Sequence, residues 1–195
     1  MSISIDARRD RTRLEVLSGI LWAIARVWVG WQFLSAALDK IGAPAWTGAA
    51  AGAQIRTLLG AALSPKMTQG AHPNVLGPYA WLIRHVFLPN AAPLAYLVTA
   101  AEFLVGLALL LGFCTRIAAA GGACLNLLYL LSGSVGVNPV MLTLELAIVL
   151  AGTTAGLIGL DLFLMPSLRQ HLMRSDDRAP AQPVSTVPRR LTRTG

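Results

Sequence analysis

Apolar residues run along the chain in four long blocks. They cover about Val16 to Leu38, Ala91 to Phe113, Ile117 to Leu131 and Val140 to Leu164. A bilayer-crossing helix needs about 20 mostly apolar residues. In lipid, each backbone polar group must be satisfied within its own segment. The pattern therefore predicts four membrane-spanning helices, the third of them short. Between the first two blocks, residues 41–90 read differently. Ala49 to Leu63 has helical spacing, with Ile55, Leu58, Leu59 and Ala62 on one side. After the breakers Pro65, Gly70 and Pro73, a second short helix fits Pro78 to Leu88. Its Tyr79, Trp81, Leu82 and Phe87 suit a membrane interface. The expected fold is all-α: an integral membrane four-helix bundle with an extracytoplasmic cap of one or two short interfacial helices over 41–90. Residues 1–15 form a basic leader and 16–166 the membrane domain. Residues 167–195 form a basic tail with Pro180, Pro183 and Pro188, in which disorder is expected.

Composition supports this reading. Of 195 residues, 55% are hydrophobic and 13% charged, and the mean hydropathy is +0.61. Soluble domains carry about 25% charged residues. The net charge of +7 would suit nucleic acid, but its placement argues for topology instead. Eleven of the sixteen basic residues fall on one side of a four-span chain: Arg8, Arg9, Arg11, Arg13, Arg116 and the six arginines of the tail. The positive-inside rule then places both termini in the cytoplasm, in a multi-pass protein of the cell membrane. No nucleic-acid motif accompanies these arginines. A cleaved signal peptide fits poorly, because Arg26 interrupts the first apolar run.

Polar groups inside the spans are the candidate chemistry, since such residues are costly in lipid. Arg26, Glu102 and Glu145 are the candidate catalytic residues, supported by Gln32 and Asn126. Counting from the outer ends puts Arg26 at roughly 18 Å and Glu102 at roughly 13 Å, so these two are expected to pair. Gln32, Asn126 and Glu145 come out at roughly 9 Å, giving two polar layers in the outer half. One arginine then faces two carboxylates, and the second carboxylate is left to give or take a proton. The structural alternative is a buried ion pair that locks the helices together. Outside the membrane, Lys40 to Ala101 contains no Asp or Glu. Lys40, Lys66, Arg84 and His72 there form a candidate anion-collecting surface, with Arg56 beside them.

Other features read as packing. Gly152 and Gly156 make a GxxxG pair in an apolar helix, and Gly121 and Gly122 serve the third span. Cys124 reads as a small buried hydrophobe, too far from Cys114 to form a disulfide. The three scattered histidines make no metal site, and no flavin, haem or iron–sulfur motif is evident.

Several stretches together resemble the DoxX/DoxD family of small four-helix membrane proteins. They are RVWVGWQFLSAALDKI from Arg26, HPNVLGPYAWLIRHVFLP from His72, EFLVGLALLLGFCTRIAA from Glu102, NLLYLLSGSVGVNP from Asn126, and the GLD ending at Asp161. Their order is similar to the branch containing the large subunit of thiosulfate:quinone oxidoreductase. That resemblance implies a membrane subunit that oxidises thiosulfate to tetrathionate and passes electrons to membrane quinone, with a small second subunit as partner. Gln32, Asn126 and Tyr129 would then bind quinone, while Glu102 or Glu145 supplies a proton. With no electron-carrying cofactor motif in the chain, electrons must pass directly or through a partner. The alternative expectation is a non-enzymatic membrane scaffold of a redox or oxidative-stress complex.

Overall fold

A computed structural model describes residues 3–156 and 158–162, which are helical with no strand among them. The predicted tail, 167–195, lies outside the described residues. Helix α1 (Ile3–Ile41) is one continuous element that absorbs both the leader and the first apolar block. Four short elements follow: α2 (Pro44–Thr47), α3 (Ala53–Ala62), α4 (Pro65–Thr68) and α5 (Gly77–Leu82). Prolines at the first turns of α2, α4 and α5 have no N–H to leave unsatisfied. Helix α5 runs on as a π-helical turn over Ile83–Phe87, where the Leu88 N–H reaches back to the Ile83 carbonyl. Then come α6 (Ala91–Leu111), α7 (Thr115–Leu131) and α8 (Asn138–Ala151).

Two helical stretches, Val16–Ile41 and Ala91–Leu111, are long and apolar enough to cross a membrane; α7 and α8 are apolar but shorter. Their outward surface is apolar: Leu21, Leu104, Ile117 and Leu150 are all more than 60% exposed. A surface of this kind is suited to hydrocarbon rather than water.

Helix α1 packs along α6, α6 along α7, and α7 along α8. The α1–α6 crossing is close because both sides present glycine. A Cβ on Gly30 would sit 3.0 Å from the Gly106 carbonyl, and one on Gly106 would sit 2.6 Å from the Leu34 nitrogen. Around this crossing Val29, Phe33, Leu109, Ala119, Met141 and Ile148 form the main core. A second core lies under residues 41–90, where Ile55, Leu59, Val75 and Ile83 pack on Ala91 and Ala95 of α6.

Three expectations are corrected. The fourth apolar block is not one helix to Leu164. Gly152 (φ +65°, ψ −128°) ends α8, and Gly152–Gly156 forms a 3-10 turn. Consequently Gly152 and Gly156 are not a helix-contact pair: a Cβ on Gly152 meets nothing within 4 Å, while Gly156 lies against Asp161. Cys124 is exposed on α7, on the apolar outer surface rather than in the core.

Candidate functional site

The antiparallel register of α1 and α6 decides which polar groups meet. Arg26 lies beside Gly112, the C-cap of α6, where added Cβ atoms on Gly112 and Gly159 would strike its guanidinium. Ten residues separate Gly112 from Glu102, about 15 Å of helix. The expected Arg26–Glu102 pair is therefore absent. The estimate of depth failed because α1 continues to Ile41 and the glycine crossing sets the register.

Glu102 instead pairs with Lys40, whose Nζ donates to Oε2 at 2.5 Å. The long lysine stem allows an ammonium at the end of α1 to reach down to a carboxylate more than one turn deeper. Tyr129 on α7 donates its hydroxyl hydrogen to the other oxygen, Oε1, at 2.5 Å. The Lys40 ammonium also lies over the Trp46 ring, 4.9 Å from its centre. Glu102 is 2% exposed and Lys40 14%. The carboxylate is thus compensated by one cation and one hydroxyl.

Lys40 and Tyr129 face a cavity of about 520 Å³ beneath residues 41–90. Glu102 stands behind them and is not part of the lining. The walls are apolar: Ile55, Leu58, Leu59 and Ala62 of α3, Met67, and Leu94 and Val98 of α6. Leu58 and Leu128 line the cavity and are also substantially exposed, so the cavity reaches the surface between α3 and α7. A second polar group lies at its edge. Tyr79 donates to the Leu128 carbonyl at 2.9 Å and lies 3.2 Å from Ser132 Oγ. Burial pushes the Tyr79 hydroxyl above its ordinary pKa, and the Ser132 hydrogen bond opposes this.

A separate buried pair lies deeper. Asn126 Nδ2 donates to both oxygens of Glu145, each at 2.9 Å, and Glu145 is 0% exposed. Gly122 makes room for it, since a Cβ there would lie 2.6 Å from Glu145 Oε1.

Arg26 belongs to a third cluster, at the end of the helices remote from residues 41–90. Its guanidinium donates to the Ala155 carbonyl at 3.3 Å and the Ile158 carbonyl at 2.5 Å. Asp161 accepts from the backbone N–H groups of Cys114 and Thr115 at 2.6 and 2.9 Å, capping the start of α7. Cys114, in the left-handed region at φ +46°, is held there by that bond. The Leu160 and Asp161 N–H groups return to the carbonyls of Leu111 and Gly112. This clasp ties α1, the α6–α7 turn and the chain after α8 together.

The remaining expected site residues are dispersed. Gln32 is half-buried on α1 and lies outside the cavity lining. Lys66, His72 and Arg84 are exposed and also outside that lining. Of the four anion candidates, the cavity takes in Lys40, already engaged by Glu102. Sequence reasoning did not select Trp46, Tyr79 or Ser132 for the site. The signal available for the first two was aromatic character in the connecting stretch 41–90, shared with Trp81 and Phe87.

The family model for DoxX matches residues 21–135. The chain belongs to the DoxX family. No curated protein and no solved structure gives a significant match. Membership and the apolar outer surface make this a membrane protein. The DoxX match contains Lys40, Glu102, Asn126 and Tyr129, whereas Glu145 and Asp161 lie beyond its end.

Proposed function

We propose that this DoxX protein is the membrane subunit of a quinone-linked oxidoreductase, with quinone taken from lipid into the cavity under residues 41–90. The observation that carries the reading is the Lys40–Glu102–Tyr129 network opening on an apolar cavity of about 520 Å³. That volume lies within the range of small-molecule sites, which are mostly apolar with a few placed polar groups. In this reading α1, α6, α7 and α8 form a four-span bundle, 41–90 is its outer cap, and both termini are cytoplasmic. The eleven basic residues on one side support that orientation.

The chemistry follows from the donors. Reducing a quinone to a quinol takes two electrons and two protons. The Lys40 ammonium has three N–H donors, one of which is used on Glu102. The others, beside the Trp46 ring, can hydrogen-bond a quinone carbonyl and stabilise the negative charge that develops there. Glu102 is a positioning residue: it holds the Lys40 side chain in place and fixes the direction of the Tyr129 hydroxyl. The electrons come from a donor outside the cavity. The resemblance to thiosulfate:quinone oxidoreductase suggests thiosulfate, two of which couple through a new S–S bond to give tetrathionate and two electrons. Exposed Lys66, Arg84 and His72 are the residues proposed to attract that dianion, with a small second subunit as partner. Gln32 is not given a part.

The test is equilibrium binding and reduction of a short-chain quinone by the purified protein in lipid vesicles, with thiosulfate as donor. Binding that is weakened at least tenfold by Lys40→Ala supports the reading. Wild-type protein that binds no quinone ends it. Quinone bound but not reduced with thiosulfate, with or without co-purifying membrane proteins, removes the thiosulfate assignment.

A further inference from the structure

Glu145 has no part in the cavity described above, yet it is the most deeply buried carboxyl group in the described structure. It is 0% exposed and lies against Gly122 of α7, which Phe33 of α1 also approaches. Its oxygens share a single amide donor, Asn126 Nδ2. Among the described residues no ion pair reaches it. The buried cations are committed elsewhere. Arg26 of α1 faces Ala155, Ile158 and Asp161, and Lys40 faces Glu102 of α6. In the 3-10 turn after α8, Thr154 donates its hydroxyl hydrogen to the Ala151 carbonyl. An ionised carboxylate with one neutral donor and no counter-ion is not sustainable in a hydrocarbon-surrounded core, whereas the acid form is.

The position of its partner gives that acid a use. Asn126 and Tyr129 are three residues apart on α7 and therefore neighbours on one helix face. Going up this face, the polar groups run from Glu145 and Asn126 to Tyr129, which lines the cavity and is hydrogen-bonded to Glu102 behind it.

We infer that Glu145 is held as a neutral carboxylic acid and serves as an internal proton store for the Tyr129–Glu102 end of the cavity. The inference rests on the quinone reading for the direction of proton flow, but not for the protonation itself. The step is a proton transfer alone. The Glu145 O–H bond breaks and its proton replaces one that the Tyr129–Glu102 site has passed to the reduced quinone; the quinol's second proton comes from water, and Glu145 is left only transiently as a carboxylate beside Asn126. The two electrons come from the reductant that drives quinone reduction, and Glu145 later regains its proton from water.

Infrared difference spectroscopy of the full-length protein in lipid, at neutral pH, tests this. A protonated-carboxyl carbonyl band is expected. It should shift in deuterated water, vanish in Glu145→Gln and persist in Glu102→Gln. Absence of the band in the wild type overturns the inference, and so does its survival in Glu145→Gln. If Glu145→Gln fails to fold, the wild-type band and its persistence in Glu102→Gln still decide. In the kinetic arm, Glu145→Gln should lower the quinone-reduction rate about 100-fold with an unchanged KM for quinone. A wild-type rate in that variant overturns the proton-store role. If the wild type reduces no quinone, the quinone reading falls, and the infrared result alone judges whether Glu145 holds its proton.

Discussion

Two clusters in this protein each combine a basic side chain on α1 with an acid from elsewhere in the chain, and they differ in what those groups face. At the capped end, Lys40 and Tyr129 turn toward an apolar cavity while Glu102 supports them from behind. At the far end, Arg26 gives its hydrogen bonds to backbone carbonyls, and Asp161 receives them from backbone N–H groups. The first cluster leaves lysine donors available to a ligand. The second directs its charges into the fold itself. A buried charge is therefore not by itself a mark of chemistry; what matters is whether its remaining donors open on a cavity or on the main chain.

This contrast can be broken by substitution. The largest effect is expected for Arg26→Leu, which removes the centre of the clasp. A loss of about 3 kcal/mol is expected, as for one partner taken from a buried charged network. Thermal unfolding in detergent would measure it, and quinone binding per folded molecule should be unchanged. A folded Arg26→Leu protein that no longer binds quinone would contradict the division between the two ends. Next is Glu102→Gln, for which quinone reduction should fall about 100-fold with a much smaller change in Tm. Equal losses of stability in the two variants would show that both clusters are structural. Gly106→Ala forces a methyl group onto the Leu34 backbone, and about 1–3 kcal/mol of stability should be lost. Because the α1–α6 crossing sets the register of Lys40 against Glu102, this variant should also reduce quinone affinity, readable by titration. The smallest effect is expected for Tyr79→Phe, which removes hydrogen bonds to Leu128 and Ser132 and should cost about 1 kcal/mol. A thermal shift measurement should detect it.

The positions of the main helices were legible in the sequence because lipid-facing and core-facing residues are both apolar, so each span shows as a run. The amphipathic spacing of Ile55, Leu58, Leu59 and Ala62 likewise marked α3. The partnerships were not legible. Arg26 was assigned to Glu102 by counting from block ends, and an error of a few residues at each end is enough to change the partner. The true register depends on a close approach between Gly30 and Gly106, which no hydrophobic pattern encodes. Lys40 was read as a surface charge because its helix position lies outside the apolar block, yet its side chain extends inward. The break at Gly152 was hidden for the opposite reason: the residues after it remain apolar although the helix ends. The cavity was also beyond reach, since its lining runs from Lys40 of α1 through Ile55 of α3 and Leu94 of α6 to Tyr129 of α7, residues far apart along the chain.

The π-helical turn at Ile83–Phe87 bears on how this part of the chain tolerates change in length. Such a turn holds one residue more than a regular helix between the same end points. Removing a single residue there would let the segment close into an ordinary α-helix. Residues on the two sides of the deletion would keep nearly the same faces, because the end points of the turn stay where they are. Phe87 now lines the cavity and meets Tyr79 edge to face. After the deletion the tightened turn would shift Phe87 and alter this contact, while the flanking helical segments kept their faces. A gene one codon shorter at this point would thus encode nearly the same architecture with a differently shaped cavity.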